Sequence, residues 1–254
     1  MTNAILLSIL AGAMTGVGAL GVFLVRRLSP QLEDALLSVA AGIMLAASFF
    51  SLIMPGLESA RQLGFEKTLS AAIVIAGIVL GALLVWTLHH FAPHEHFILG
   101  RQGPNTGKLA RVWLFVITIT LHNLPEGMAV GVGFAGGGQA NGMSLAYGIG
   151  LQNIPEGLAV AAALLTVGYS RWSAFLISLA TGLVEGLGGL FGVTAIFLAR
   201  PLMPWILGLA AGAMLYIISD EVIPETHSRG YQTLATFSLI GGFVLMMYLD
   251  STLS

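Results

Sequence analysis

Two six-residue motifs near the middle of the chain combine side chains that bind metal ions. Residues 122–127 read His-Asn-Leu-Pro-Glu-Gly, and residues 152–157 read Gln-Asn-Ile-Pro-Glu-Gly. On a helix, His122 and Glu126 are four residues apart and share one face, while Asn123 precedes Glu126 by three residues on an adjoining face. The first motif therefore predicts a glutamate flanked by an imidazole and an amide.

The second motif repeats this spacing with amides alone. Gln152 and Asn153 precede Glu156 by four and three residues. Pro125 and Pro155 each remove one helical hydrogen bond, so each helix should kink beside these side chains. The chain has no cysteine and hence no thiolate ligand, and the nitrogen and carboxylate ligands of these motifs suit Zn(II), Mn(II), Fe(II) or Cd(II) better than Cu(I).

Three glutamates, Glu126, Glu156 and Glu185, lie near the middle of long apolar segments that contain no Lys or Arg. An ionised side chain at the centre of a bilayer costs about 2.5–3.5 kcal/mol. A single Pro-Glu-Gly motif is equally consistent with a helix kink that carries a protonated glutamate. Two copies at matched depth, together with Glu185 and a histidine, favour binding of a divalent cation.

The composition places these residues in a membrane. Of 254 residues, 56% are hydrophobic and 9% are charged, with a mean hydropathy of +0.90, whereas about a quarter of the residues of soluble proteins are charged. This excludes a cytosolic enzyme, a nucleic-acid-binding protein and a disordered protein. The lipid bilayer is therefore an expected partner, and nucleic acid is not.

The predicted fold class is an all-α polytopic membrane protein that forms a single domain over residues 1–254. At about 20 apolar residues per crossing, the chain has room for eight transmembrane helices. The predicted helices cover about 4–25, 35–57, 68–90, 112–135, 143–168, 172–199, 201–223 and 231–250, with one long loop over 91–110.

The distribution of basic residues predicts the orientation. With the N-terminus outside, seven of the ten Lys and Arg residues fall on the inner side, as the positive-inside rule requires. These seven are Arg26, Arg27, Arg101, Lys108, Arg111, Arg171 and Arg229; the other three are Arg61, Lys67 and Arg200. We expect both termini outside and the loop 91–110 inside.

Internal similarity predicts an inverted repeat. The sequence at 40–45 in the second predicted helix resembles that at 210–215 in the seventh, and a proline, Pro55 or Pro224, follows each. The two Pro-Glu-Gly motifs relate the fourth helix to the fifth. Since the members of each pair run in opposite directions, the expected arrangement is 3+2+3. Inverted repeats with interrupted helices are typical of transporters, and we expect alternating access.

A second polar group is expected at the inner end of the predicted bundle. It consists either of solvated surface residues or of sites where a metal ion rests on leaving. The candidate exit residues are His89, His94, His96, Asp220 and Glu221.

The paired motifs, with the sequence Ile-Ser-Asp-Glu-Val-Ile-Pro-Glu-Thr at 218–226, resemble the signature of the Zrt/Irt-like (ZIP) divalent-metal transporters. They are most similar to the prokaryotic GufA-like subgroup, over essentially the whole chain. The resemblance implies a homodimer in the bacterial inner (plasma) membrane that takes up divalent metal ions. Zinc is the expected substrate, with Cd, Fe and Mn as further ones, and no catalytic cofactor is expected.

The resemblance also implies a binuclear metal centre. One site would use His122, Glu126, Gln152, Glu156 and Met44. The neighbouring site would use Asn123, Glu126, Asn153, Glu156 and Glu185, with the two motif glutamates bridging. Many eukaryotic members carry histidines and acidic residues where this chain has Gln152 and Asn153, so the second site should bind more weakly here.

Three alternatives use parts of the same chemistry. A metal exporter or proton-coupled metal exchanger would use the same ligands, because the sequence does not set the direction of flux. An intramembrane metal-dependent hydrolase would need a motif such as His-Glu-x-x-His, which the sequence lacks. A metal-sensing receptor would need an added signalling domain, for which no stretch of the chain is long enough.

Overall fold

The computed structural model describes residues 2–24, 29–91, 95–96, 100–101, 108–136, 138–198 and 200–253. Nearly all of them are helical, which confirms the helical architecture predicted from the sequence. The helices are α1 (Thr2–Phe23, ending in a 3-10 turn), α2 (Pro30–Gln62), α3 (Lys67–Phe91), α4 (Lys108–Gly136), α5 (Gly138–Thr166), α6 (Arg171–Leu198), α7 (Met203–Thr226) and α8 (Gln232–Leu253).

One non-helical pairing occurs among the described residues. Two-residue strands β1 (Glu95–His96) and β2 (Gly100–Arg101) pair antiparallel within the predicted inner loop. Strands of two residues are too short to show an alternation of polar and apolar residues, so the sequence pattern does not predict them.

Seven helices within the described part of the chain are long and apolar enough to cross a membrane. They are α1, α2, α3, α5, α6, α7 and α8. Large apolar side chains cover their outer faces: Phe237 is 70% exposed, and Phe191 and Tyr248 are each 63% exposed. An apolar outer surface of this extent is expected where lipid rather than water surrounds the protein.

Helices α2 and α7 share an unusual break. Each changes from α-helix to a π-helical turn, at Ser48–Ile53 in α2 and at Ile218–Val222 in α7, and a proline follows at Pro55 or Pro224. Proline cannot donate a backbone hydrogen bond, and π-turns commonly occur where a helix accommodates such an interruption.

The helices pack in two kinds of contact. Helices α1, α4, α5 and α6 pack against one another, while α2 packs along α8 and α3 along α7. Glycines allow close approach in both outer pairs, since a methyl group on any of them would collide with a facing carbonyl. Gly42 faces Leu239, Gly242 faces Val39, Gly212 faces Ile78, and Gly81 faces Leu209.

Candidate metal centre

Seven of the eight predicted metal ligands have described side chains, and all seven lie in the interior. Each exposes 7% or less of its surface. Four helices supply them: α2 contributes Met44, α4 contributes Asn123 and Glu126, α5 contributes Gln152, Asn153 and Glu156, and α6 contributes Glu185.

Two carboxylate–amide hydrogen bonds link these helices. The Gln152 side chain donates from Nε2 to Glu126 Oε1 over 2.5 Å, which joins α5 to α4. The Asn153 side chain donates from Nδ2 to Glu185 Oε1 over 2.6 Å, which joins α5 to α6. The structure therefore brings Gln152 to Glu126 and Asn153 to Glu185, two pairings that the spacing along single helices does not contain.

Most polar atoms of the predicted ligands that these two hydrogen bonds leave unpaired are oxygens. Within the part of the chain that the structure describes, five buried side-chain oxygens of the predicted ligands accept no hydrogen bond: Glu126 Oε2, Glu185 Oε2, Gln152 Oε1, Asn153 Oδ1 and Asn123 Oδ1. An unsatisfied buried polar group costs about 1–3 kcal/mol. Carboxylate and amide oxygens facing a buried site are the chemistry of a cation-binding centre.

The charges in this region are of one sign. Glu156 is close enough to Glu126 and to Glu185 to repel both carboxylates electrostatically. Among the described side chains, however, no three His, Asp or Glu groups are close enough together to hold a metal ion. In the arrangement seen, amide N–H groups of Gln152 and Asn153 face the carboxylates of Glu126 and Glu185.

Glycines immediately after the two motif glutamates set the helix spacing. Gly127 packs against the backbone of Glu185, and Gly157 packs against the backbone of Thr15. The neighbouring hydroxyls add contacts at both glycines: Ser8 donates to the Gly127 carbonyl at 3.4 Å, and Ser178 to the Gly157 carbonyl at 2.8 Å. These contacts hold α1 and α6 beside the motifs of α4 and α5.

His122 and Met44 complete the predicted set of ligands. His122 lies in α4 one turn before Glu126, but its side chain is outside the described part of the structure. Met44 is fully buried in α2 within an apolar cluster that includes Ile149 and Met214.

The predicted exit residues are described only in part. His94 lies outside the described residues. For His89 at the end of α3, His96 in β1 and Glu221 in the π-turn of α7, the structure describes the backbone alone. Asp220, in the same π-turn, has a half-buried side chain.

An ion-pair cluster joins the start of α2 to the segment after α7. Arg229 Nη1 lies 2.7 Å from Glu33 Oε2 and 3.6 Å from Asp34 Oδ1, and its Nη2 lies 3.5 Å from Glu225 Oε1. Burial lowers the pKa of Arg229, but the hydrogen bond that Arg229 donates to Glu33 and the charges of the three carboxylates outweigh it and raise that pKa above its ordinary value. Sequence reasoning missed this cluster, because the acidic residues of α2 lie far along the chain from Arg229, 196 residues in the case of Glu33.

Apolar membrane-length helices around a buried set of carboxylates and amides define a membrane transporter for cations. The comparisons agree: residues 100–250 match the family model described as ZIP Zinc transporter. The chain belongs to the ZIP family.

The relatives extend the similarity to nearly the whole chain. Zinc transporter ZIPB of Bordetella bronchiseptica is 49% identical over 244 residues, covering 95% of this chain and 78% of the relative. Zinc transporter GufA of Myxococcus xanthus is 45% identical over 246 residues and 97% of each chain. Zinc transporter ZIP11 of Homo sapiens is 34% identical and covers 93% of each chain.

Proposed function

We propose that this protein takes up divalent transition-metal ions, zinc foremost, through the site around Glu126, Glu156 and Glu185. The observation that carries the proposal is the set of buried carboxylate and amide oxygens without hydrogen-bond donors at the meeting point of α4, α5 and α6. A divalent cation satisfies such oxygens and offsets the repulsion among the three glutamates. The names of the relatives as zinc transporters support zinc as the substrate.

In the absence of the ion, the amide side chains donate hydrogen bonds to the carboxylates that would bind it. Gln152 and Asn153 now direct N–H groups at Glu126 and Glu185. An arriving cation replaces these donors, and each amide turns to present its unused oxygen to the ion. Binding therefore exchanges two hydrogen bonds and the waters of hydration for metal–oxygen bonds, and release reverses the exchange.

We propose two adjacent ion positions that share the motif glutamates. The first is bounded by His122, Glu126, Gln152, Glu156 and Met44. The second is bounded by Asn123, Glu126, Asn153, Glu156 and Glu185. Because two neutral amides stand at 152 and 153, the total negative charge is three, which favours one tightly held ion and a weaker second one.

We propose that the chain crosses the membrane eight times as one domain, α4 included, in a 3+2+3 inverted repeat. The helix contacts support this, because exchanging α2 with α7 and α3 with α8 converts the α2–α8 pair into the α7–α3 pair. The glycine contacts follow the same exchange. Gly42 of α2, which faces α8, corresponds to Gly212 of α7, which faces α3. Gly242 of α8, which faces α2, corresponds to Gly81 of α3, which faces α7.

Alternating access then follows from the two kinds of contact. Helices α1, α4, α5 and α6 carry the site residues other than Met44 and pack together, so they are proposed to move as one body against α2, α3, α7 and α8. The π-turns of α2 and α7 lie on the other side of this interface. Cysteines introduced at Ala129 in α4 and Ala159 in α5, both now buried, should change in accessibility to labelling when metal is added.

The remaining proposals concern placement and further substrates. Both termini lie outside the bacterial inner membrane, and the protein is a homodimer. Cadmium, iron and manganese are further substrates. Ions leave past inner residues His89, His94, His96, Asp220 and Glu221. Operation as an exporter or as a proton-coupled metal exchanger is the alternative that a flux measurement distinguishes.

The test is uptake of Zn(II), Cd(II), Mn(II) and Fe(II) into proteoliposomes. Glu126→Gln and Glu156→Gln should each reduce zinc uptake by about a hundredfold or more, since each removes a charged ligand worth several kcal/mol. Glu58→Gln is the matched control, because the side chain of Glu58 is 60% exposed at the end of α2. Normal uptake by both site variants overturns the proposed site.

A further inference from the structure

The structure relates Thr15 of α1 to Glu185 of α6. Three contacts define the relationship. Gly127 packs on the Glu185 backbone as Gly157 packs on the Thr15 backbone, and Gly12 and Gly182 pack on each other. In sequence, Thr15 precedes Glu185 by the same 170 residues that separate Gly12 from Gly182.

Two further contacts obey the same correspondence. Ser8 donates to the Gly127 carbonyl and Ser178 donates to the Gly157 carbonyl, and these serines are also 170 residues apart. Residues of α4 and α5 correspond at a separation of 30, which pairs Asn123 with Asn153. The counterpart of the Asn153–Glu185 hydrogen bond is therefore a pairing of Asn123 with Thr15.

The two halves differ in how their polar groups are satisfied. Asn153 donates to Glu185 and to the Ala11 carbonyl. Among the described side chains, neither amide atom of Asn123 has a hydrogen-bond partner, and neither does Thr15 Oγ1, although Asn123 is 0% and Thr15 only 1% exposed. The threonine hydroxyl stands two bonds closer to the backbone than a glutamate carboxylate does, a shortfall of about one hydrogen-bond length.

We propose that Thr15 and Asn123 bind a water molecule in this place, and that the transported ion keeps this water as a ligand. The inference rests on the proposed function of the Glu126 site. Thr15 Oγ1 and Asn123 Nδ2 supply two of the two to four partners that a buried water needs, and Asn123 Oδ1 stays available to the ion. Asn123 precedes Glu126 by three residues, so a water held by Asn123 lies on the side of α4 that carries the Glu126 carboxylate.

At these two equivalent places the site offers different ligands. Glu185 with Asn153 supplies a carboxylate to the ion, whereas Thr15 with Asn123 supplies a held water. An ion that meets a water at the Thr15 position is bound less tightly than one that meets a further carboxylate there, which favours release. Thr15 is thus a positioning residue that tunes affinity through the water.

The experiment measures zinc and cadmium affinity and uptake for four substitutions at position 15. Thr15→Val keeps the shape and removes the hydroxyl, and it should raise the zinc KM about fivefold to tenfold, the value of one lost hydrogen bond. Thr15→Ser keeps the hydroxyl and should behave as wild type. Because Cd(II) is larger and gives up water more readily, its KM should rise less than that of zinc.

The charge prediction uses a matched pair. Thr15→Glu restores the carboxylate of the other half and should tighten zinc binding at least tenfold while lowering the turnover rate. Thr15→Gln has the same length without the charge and should not tighten binding. Thermal unfolding of each purified variant identifies those that fail to fold, and the Val and Glu arms test the proposal separately.

The outcomes separate this inference from the proposed function. If Glu126→Gln abolishes uptake while Thr15→Val equals wild type in zinc KM and in the zinc-to-cadmium ratio, the water site is wrong and the metal site stands. If Glu126→Gln transports normally, the metal site itself is wrong. Equal tightening by Thr15→Glu and Thr15→Gln also overturns the inference.

Discussion

Asn153 donates from one nitrogen to Glu185 Oε1 at 2.6 Å and to the carbonyl of Ala11 at 2.8 Å. A single amide of α5 therefore joins α6 and α1 beside a buried carboxylate. The hydrogen bonds that hold the helices together are the ones that an arriving cation must replace. Since a ligand that binds the folded state stabilises it, helix packing and metal binding should be energetically linked.

Asn153→Ala tests this linkage. The variant leaves Glu185 Oε1 buried without its donor and removes the side-chain hydrogen bond to the Ala11 carbonyl, so we expect it to lose about 1–3 kcal/mol of stability with chelator present. Its stabilisation by zinc should also shrink, because a proposed metal ligand is gone. Thermal unfolding in detergent, with chelator and with zinc, measures both effects.

Asn141→Ala is the control for that measurement. Asn141 is also buried and donates a single hydrogen bond, to the Ser51 carbonyl at 3.1 Å. This variant should lose stability but keep the full zinc-dependent increase in Tm. An equal loss of the zinc effect in both variants contradicts the linkage.

Gln152→Glu places a second carboxylate opposite Glu126, where an amide N–H now donates at 2.5 Å. Without metal, the two carboxylates repel each other and the variant should be less stable. With zinc, the added charge should lower the Kd at least about tenfold and slow release. Zinc titration by calorimetry and proteoliposome turnover measure the two consequences.

Gln62→Glu repeats the same change on the surface. Gln62 donates to Glu58 at 3.4 Å in an exposed pair near the end of α2. Solvent screens the new charge there, so zinc affinity and turnover should remain those of the wild type. Should Gln62→Glu tighten zinc binding as much as Gln152→Glu does, the effect is one of net charge alone.

The sequence predicts the members of the candidate site better than their pairing. The two Pro-Glu-Gly motifs are recognisable because their spacing repeats, and the burial of Glu126, Glu156 and Glu185 follows from the apolar segments around them. Which amide bonds which carboxylate depends on the rotation of neighbouring helices. A periodicity within one helix contains no information on that rotation.

The helix ends show a similar limit. The apolar stretch predicts the second helix over 35–57, whereas α2 covers Pro30–Gln62. Ser29 caps its start by accepting a hydrogen bond from the Leu32 amide at 3.3 Å, and Pro30 stands at the first helical position. Hydropathy detects the part of a helix in lipid, while capping residues extend the helix beyond it.

The sequence does not single out Thr15, for a different reason. The 170-residue correspondence of Ser8 with Ser178 and Gly12 with Gly182 is present in the sequence and relates α1 to α6. However, Thr15 and Glu185 differ in chemistry, so a search for similar residues skips them. The packing of Gly127 on Glu185 and of Gly157 on Thr15 shows that the two residues occupy equivalent places.

Adjacent glycines in α8 provide a test of the packing. A methyl group at Gly242 would collide with the Val39 carbonyl, whereas nothing lies within 4 Å of one placed at Gly241. Gly242→Ala should therefore cost about 1–3 kcal/mol by overpacking and reduce transport. Gly241→Ala should be neutral or add up to about 1 kcal/mol through helix propensity. Chemical denaturation of both variants in detergent compares them, and equal stabilities would contradict the close α2–α8 contact.

The ion-pair cluster at Arg229 predicts a strong dependence of stability on one arginine. Asp34 is 0% exposed, and its charge is balanced by Arg229 at 3.6 Å. Arg229→Met leaves that carboxylate buried without its cation, which should cost about 2–4 kcal/mol, somewhat less than for a fully buried pair because Arg229 remains 12% exposed. Adding Asp34→Asn should recover part of the loss.

The control for the arginine is Arg61→Met. Arg61 pairs with Glu58 at 3.9 Å, and both side chains are about half exposed, at 49% and 60%. An exposed pair contributes about 0–1 kcal/mol, so this variant should unfold as the wild type does. If Arg229→Met is equally harmless, or Asp34→Asn fails to recover stability in the double variant, then the cluster does not fasten the start of α2 to the segment after α7.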